Sequence, residues 1–119
     1  MYEMARKISS YCAYLLDLLS PYGSITSRAM FGGYGLYKNG IIFGIVVDDE
    51  VYFKVDGTNQ AQYEELDSEP FSYEKNGKSV KLSYWKVPLE VLENEELLER
   101  WLEHSYNISR KMIPTPVVK

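Results

Sequence analysis

Two Asn-Gly pairs, Asn39-Gly40 and Asn76-Gly77, constrain this chain more than any other feature, because each stands between runs of strand-forming residues. A two-residue type I′ turn needs positive φ at both central positions, and Asn followed by Gly meets that need at low cost. Each pair therefore marks the turn of an antiparallel hairpin. After the first, residues 41–47 are apolar on both faces, interrupted only by Gly44, and read as a strand in the middle of a sheet. Asp48-Asp49-Glu50 makes the next turn. Val51, Phe53 and Val55 then face inward while Tyr52 and Lys54 face outward, the period-two pattern of a half-buried strand. The second hairpin pairs residues 71–74 with 79–87, placing Val80, Leu82 and Tyr84 on one face and Lys81, Ser83 and Trp85 on the other. Pro88 ends it.

Upstream of the first pair, residues 25–31 alternate weakly, with Ile25, Ser27, Ala29 and Phe31 on one side. Gly32-Gly33 reads as a bulge or sharp bend, after which the strand resumes over 34–38. Gly33 is expected to need backbone angles that a β-carbon forbids. Helical spacing of Ile8, Tyr11, Cys12, Leu15, Leu18 and Leu19 predicts a first helix over 4–19, stopped by Pro21 and Gly23. Asp56 or Thr58 is placed to cap a short helix ending near Leu66. Asn94 is placed to cap a last helix, with its apolar stripe at Leu98, Trp101, Leu102, Ser105, Ile108 and Met112. Its acidic first turn and basic last turn both favour the helix dipole. The predicted order is α-βββ-α-ββ-α: an α+β domain over 1–112 with one antiparallel sheet and packed helices, then an extended Pro-containing tail over 113–119.

Eleven Tyr, four Phe and two Trp among 119 residues supply a core without disulfides or structural metal. The single cysteine, Cys12, has no internal partner, which fits a reducing compartment. No stretch has the length or flanks of a leader or a membrane span, so the expected location is the cytoplasm. Net charge is −4, which disfavours approach to a phosphate backbone. That charge is unevenly spread: 48–69 carries eight acids and one Lys, whereas 70–88 carries four Lys and one Glu.

Catalytic chemistry is hard to find. The one histidine, His104, has Glu103 and Ser105 only as chain neighbours on a helix, where successive side chains diverge, so the three form no triad. Cys12 sits on an apolar stripe and reads as an inert core thiol. No CxxC or HxxxH spacing exists for zinc. Asp48, Asp49 and Glu50 read as a hairpin tip rather than a cation site. Gly32-Gly33-Tyr34-Gly35 is followed by a strand, not by the helix N-terminus that a phosphate loop requires. No enzyme activity, cofactor or metal is expected.

One block remains unexplained by packing alone: Arg28-Ala29-Met30-Phe31-Gly32-Gly33-Tyr34-Gly35-Leu36-Tyr37. Together with Val51-Tyr52-Phe53-Lys54-Val55-Asp56, Phe71, Tyr73, the segment from Ser83 to Pro88, and Trp101, it resembles the TfoX N-terminal domain family, also called Sxy, over about residues 28–110. The resemblance implies the same fold order. It also implies a cytoplasmic regulator of DNA-uptake competence that assists transcription with a protein partner, the cyclic-AMP receptor protein in the best-known members. Those regulators carry a second, helical domain after this one.

Within the block, Met30, Phe31, Gly32, Gly33 and Gly35 form the structural motif. The bend is expected to display Arg28, Tyr34, Lys54, Trp85 and Lys86, a mix of aromatic anchors and cations suited to a protein interface. DNA contact is expected to be weak or indirect. Two alternatives stand beside this reading: a homodimeric module without a transcriptional role, and direct nucleic-acid binding through the 75–86 hairpin with Tyr84 and Trp85 stacking on bases.

Overall fold

A computed structural model describes residues 9–30 and 32–113. Helix α1 (Ser10–Leu19) leads into strands β1 (Ile25–Met30), β2 (Gly33–Lys38), β3 (Ile41–Val47) and β4 (Glu50–Lys54). Helix α2 (Gln60–Glu65), strands β5 (Pro70–Lys75) and β6 (Lys78–Lys86), the short α3 (Leu89–Leu92) and the long α4 (Glu95–Met112) follow. All six strands form one antiparallel sheet in the order β1-β2-β3-β4-β6-β5. The α+β class and the single sheet agree with the sequence reading.

Three hairpin tips share one solution. Asn39 and Gly40 have φ of 52° and 80°, Asp48 and Asp49 have 50° and 58°, and Asn76 and Gly77 have 53° and 77°. Each pair has the two positive φ angles of a type I′ turn, whose twist matches that of the flanking strands. Asn and Asp reach this region because a short polar side chain tolerates it.

The Gly32-Gly33 break corrects the expected order. Met30 pairs with Gly33 and Ile25 with Lys38, so the chain reverses here and runs back along itself. The bend is a hairpin, and four strands rather than three precede α2. Gly32 carries the left-handed backbone, with φ 76°; Gly33 does not. Gly33 is constrained by space: a β-carbon there would lie 2.2 Å from the carbonyl oxygen of Val46 on β3. Phe31 lies outside the described residues.

The helices pack on one face of the sheet. Leu15 and Leu19 of α1, Tyr63 of α2, Val91 of α3, and Leu98, Trp101 and Leu102 of α4 join Leu36, Phe43, Val46, Val51 and Phe53 in a single core. A bulge between Leu36 and Tyr37 leaves Phe43 as the extra residue on β3, and its ring meets Phe53 edge-on at 5.5 Å. Ser9 caps α1 by accepting from the Cys12 amide at 3.1 Å, so the helix starts at Ser10 instead of Met4, and Ile8 lies outside the described residues. Asn94 caps α4 as expected, accepting from the Leu97 amide. Neither Asp56 nor Thr58 caps α2; the buried Asn59 stands at its start, accepting from the Asp56 amide and donating to the Lys54 carbonyl. The predicted stripe on α4 holds through Ile108, but Met112 is 64% exposed and Ser109 is buried. Of the 113–119 tail, residues 114–119 lie outside the described residues. Among the described residues no helix is long and apolar enough to cross a membrane.

Candidate functional site

Side chains alternate across a strand, so cross-strand partners assign each residue to a face. Arg28 pairs with Gly35, Gly35 with Ile45, and Ile45 with Tyr52. Tyr52 pairs with Lys86, and Lys54 with Tyr84. These residues point away from the core, onto the face that no described helix covers.

Their contacts confirm the assignment. The Arg28 guanidinium lies 5.1 Å from the centre of the Tyr37 ring, and the Lys54 ammonium lies 5.1 Å from that of Tyr84. Tyr52 meets Phe71 edge-on at 5.1 Å, and Phe71 continues to Tyr73 at 6.3 Å. Gly35 is small because it must be: a β-carbon there would sit 2.9 Å from the Met30 sulfur, 3.0 Å from Tyr37 and 3.1 Å from Ile42. These three side chains close over Gly35 and make the β1–β3 side of the face apolar. Ile45 is 8% exposed although no described helix lies above it.

The electrostatics follow from this packing. Burial pushes the Lys54 ammonium below the usual lysine value, with Asp56 opposing the shift. Its ammonium also donates to the Ser83 hydroxyl at 2.6 Å. Burial, and secondarily the neighbouring Tyr37, push the Tyr84 phenol above its ordinary value. Lys86 pairs with Glu50 at 2.9 Å, and that hydrogen bond raises its own value.

The sequence-predicted surface residues divide between the two faces. Arg28, Lys54 and Lys86 share the open face. Tyr34 does not: it pairs with Val46, packs on the core, and its hydroxyl accepts from the Ser9 amide at 3.0 Å, pinning the start of α1. Trp85 does not either, since it pairs with the buried Phe53 and meets Tyr63 at 6.3 Å. The aromatic residues beside the cations are instead Tyr37, Tyr52, Phe71 and Tyr84. The outward reading of Tyr52 and Lys54 carried the signal for these, because the antiparallel partners of outward residues also point outward.

One cluster elsewhere has the residue types of a catalytic triad without its arrangement. The Thr58 hydroxyl donates to Asp56 at 2.5 Å and lies 2.9 Å from His104 Nε2. Its single proton is committed to the carboxylate, so the imidazole faces the oxygen as a donor. The carboxylate orients the hydroxyl and not the histidine, whereas a nucleophilic triad requires the reverse. Cys12 is fully buried, and burial raises its thiol above the ordinary value.

A family model for the TfoX N-terminal domain matches residues 17–108, most of the chain, including both faces of the sheet. The chain belongs to the TfoX N-terminal domain family. It is 34% identical over 65 residues to the DNA transformation protein TfoX1 of Aliivibrio fischeri, a stretch covering 55% of this chain and 31% of that protein. It is 31% identical over 98 residues to Protein Sxy of Escherichia coli, covering 80% of this chain and 46% of that protein. The chain thus spans less than half the length of either relative. The block that resembles this family contributes Arg28, Met30, Gly35 and Tyr37 to the open face.

Proposed function

We propose that this TfoX-type domain is a non-enzymatic binding module that assists transcription in DNA-uptake competence by holding a protein partner on the open face of its sheet. One observation carries this reading. The uncovered face of an antiparallel sheet is normally polar, yet here it presents Met30, Tyr37, Ile42, Val47, Tyr52 and Tyr84 around Arg28 and Lys54. Aromatic side chains with arginine at their edge are the composition of interface cores, where a few anchors supply most of the binding energy. The name of one similar protein, the DNA transformation protein TfoX1, connects the family with DNA transformation. A face-to-face homodimer is disfavoured, since it would bring together two surfaces that both present Arg28, Lys54 and Lys86.

The test places a photo-crosslinking residue in the native host at Tyr73 on the β5 side of the open face, at Tyr37 on its β2 side, or at Arg100 on the exposed side of α4. A discrete protein adduct is expected from the first two and not from Arg100. A competence-gene reporter should lose induction in a Tyr37→Ala/Tyr84→Ala variant whose thermal unfolding remains cooperative. Adducts confined to Arg100, or full induction in the variant, would overturn the reading.

A further inference from the structure

We infer that the segment held by the open face is an acidic, amphipathic stretch of protein, with Asp or Glu bordering an apolar stripe. The inference rests on the open face being the binding surface and deepens that reading by naming the chemistry of its occupant.

Charge is segregated across the two sides of this sheet. By strand alternation, among the described strand residues, the open face carries Arg28, Lys54, Lys75, Lys78 and Lys86, and of acids only Glu50, with Asp56 just past the end of β4 acting on Lys54. Five cations against one carboxylate give this face about +4 by simple count, while the whole chain is −4. Lys86 is answered by Glu50, but Arg28, Lys54, Lys75 and Lys78 make no salt bridge among the described residues. On the covered side Lys38 is paired with Glu103 of α4, and Lys81, near the sheet edge, makes no salt bridge among the described residues. Cations left without carboxylates beside a desolvating apolar surface attract an anionic partner more strongly than they would in open water.

Ring geometry separates an acidic protein from the other polyanion, single-stranded nucleic acid. Bases bind sheet platforms by stacking on free aromatic faces. Here the faces of Tyr37 and Tyr84 are capped by Arg28 and Lys54. Tyr52 and Phe71 are inclined at 74°, edge to face, which leaves Tyr73 on the edge strand β5 as the one exposed ring of this face among the described residues, short of a stacking platform. The surface therefore offers cations held over rings and aliphatic side chains between them. That arrangement accepts carboxylates at its cations and Leu- or Ile-sized groups on Met30 and Ile42.

The experiment uses the purified chain and three labelled probes in fluorescence anisotropy. They are a 16-residue helical peptide with a Leu stripe flanked by Glu, the same peptide with Lys for Glu, and a 16-nucleotide oligothymidine. At physiological salt the Glu peptide should bind at least about tenfold tighter than the Lys peptide, a gap that narrows as salt rises. Arg28→Gln/Lys54→Gln should lower its affinity about fivefold or more, whereas Arg100→Gln on α4 should not. Equal binding of both peptides, or no binding of the Glu peptide at about 100 μM, would overturn the acidic assignment; the crosslinking test of the face would be untouched. Tighter, steeply salt-dependent binding of the oligothymidine would overturn it in favour of nucleic acid.

Discussion

Gly32 and Gly33 are neighbours in sequence, yet the structure requires each to be glycine for a different reason, and substitutions separate the two. At Gly32, φ is 76° and nothing lies within 4 Å of an added β-carbon. Alanine there meets only the left-handed backbone penalty, about 1–2 kcal/mol. Asparagine, which visits that region readily, should recover much of the loss. At Gly33 the backbone is ordinary, but an added β-carbon falls 2.2 Å from the Val46 carbonyl oxygen. Normal contact needs more than 3 Å, so the paired ends of β2 and β3 must part by roughly 1 Å, against close packing that does not yield easily. Overpacking of this kind typically costs about 1–3 kcal/mol, and here the obstacle is backbone, so a cost near the top of that range is expected. Asparagine at Gly33 should recover nothing. Urea unfolding of Gly32→Ala, Gly32→Asn, Gly33→Ala and Gly33→Asn at matched m-values measures all four. A Gly33→Ala midpoint at or above that of Gly32→Ala, or a rescue of Gly33 by asparagine, would refute the steric argument.

Trp101 packs against Tyr63 with ring centres 4.3 Å apart, and Trp101→Ala should cost about 3–5 kcal/mol; cooperative melting near the parent temperature would refute its place in the core. The Tyr63 hydroxyl is buried without a well-formed hydrogen bond, so Tyr63→Phe should be neutral or stabilising by up to about 1 kcal/mol in denaturant titrations at pH 7. Burial raises the Tyr63 phenol above its ordinary value of 10.0. Its contribution is therefore intact below pH 10 and lost as pH climbs toward the raised value, and the phenylalanine variant should resist alkaline unfolding better than the parent. Random duplex DNA should bind more weakly than about 10 μM at physiological salt; tight, steeply salt-dependent binding in anisotropy would count against the protein-partner reading.

The local chemistry of this chain was legible residue by residue. Asn-Gly forces a primed turn wherever it falls between strands, so both hairpins were readable without coordinates. Asn94 caps α4 through its own backbone neighbours, and the alternation of Val51, Phe53 and Val55 needs only the pleat of a strand. What the sequence left open was every question settled across space. A glycine pair inside an alternating run is equally compatible with a bulge and a reversal; only the pairing of Met30 with Gly33 and of Ile25 with Lys38 makes it a turn. Alternation divides β6 into two faces but does not say which one the helices cover. Packing of Tyr63 against Trp85 decides that, and it moves Trp85 and Tyr34 into the fold while leaving Arg28, Lys54 and Lys86 outside. The basic, aromatic character of the open face has the same origin. Its residues come from five strands between Arg28 and Lys86, and only the registry of the sheet brings them onto one surface.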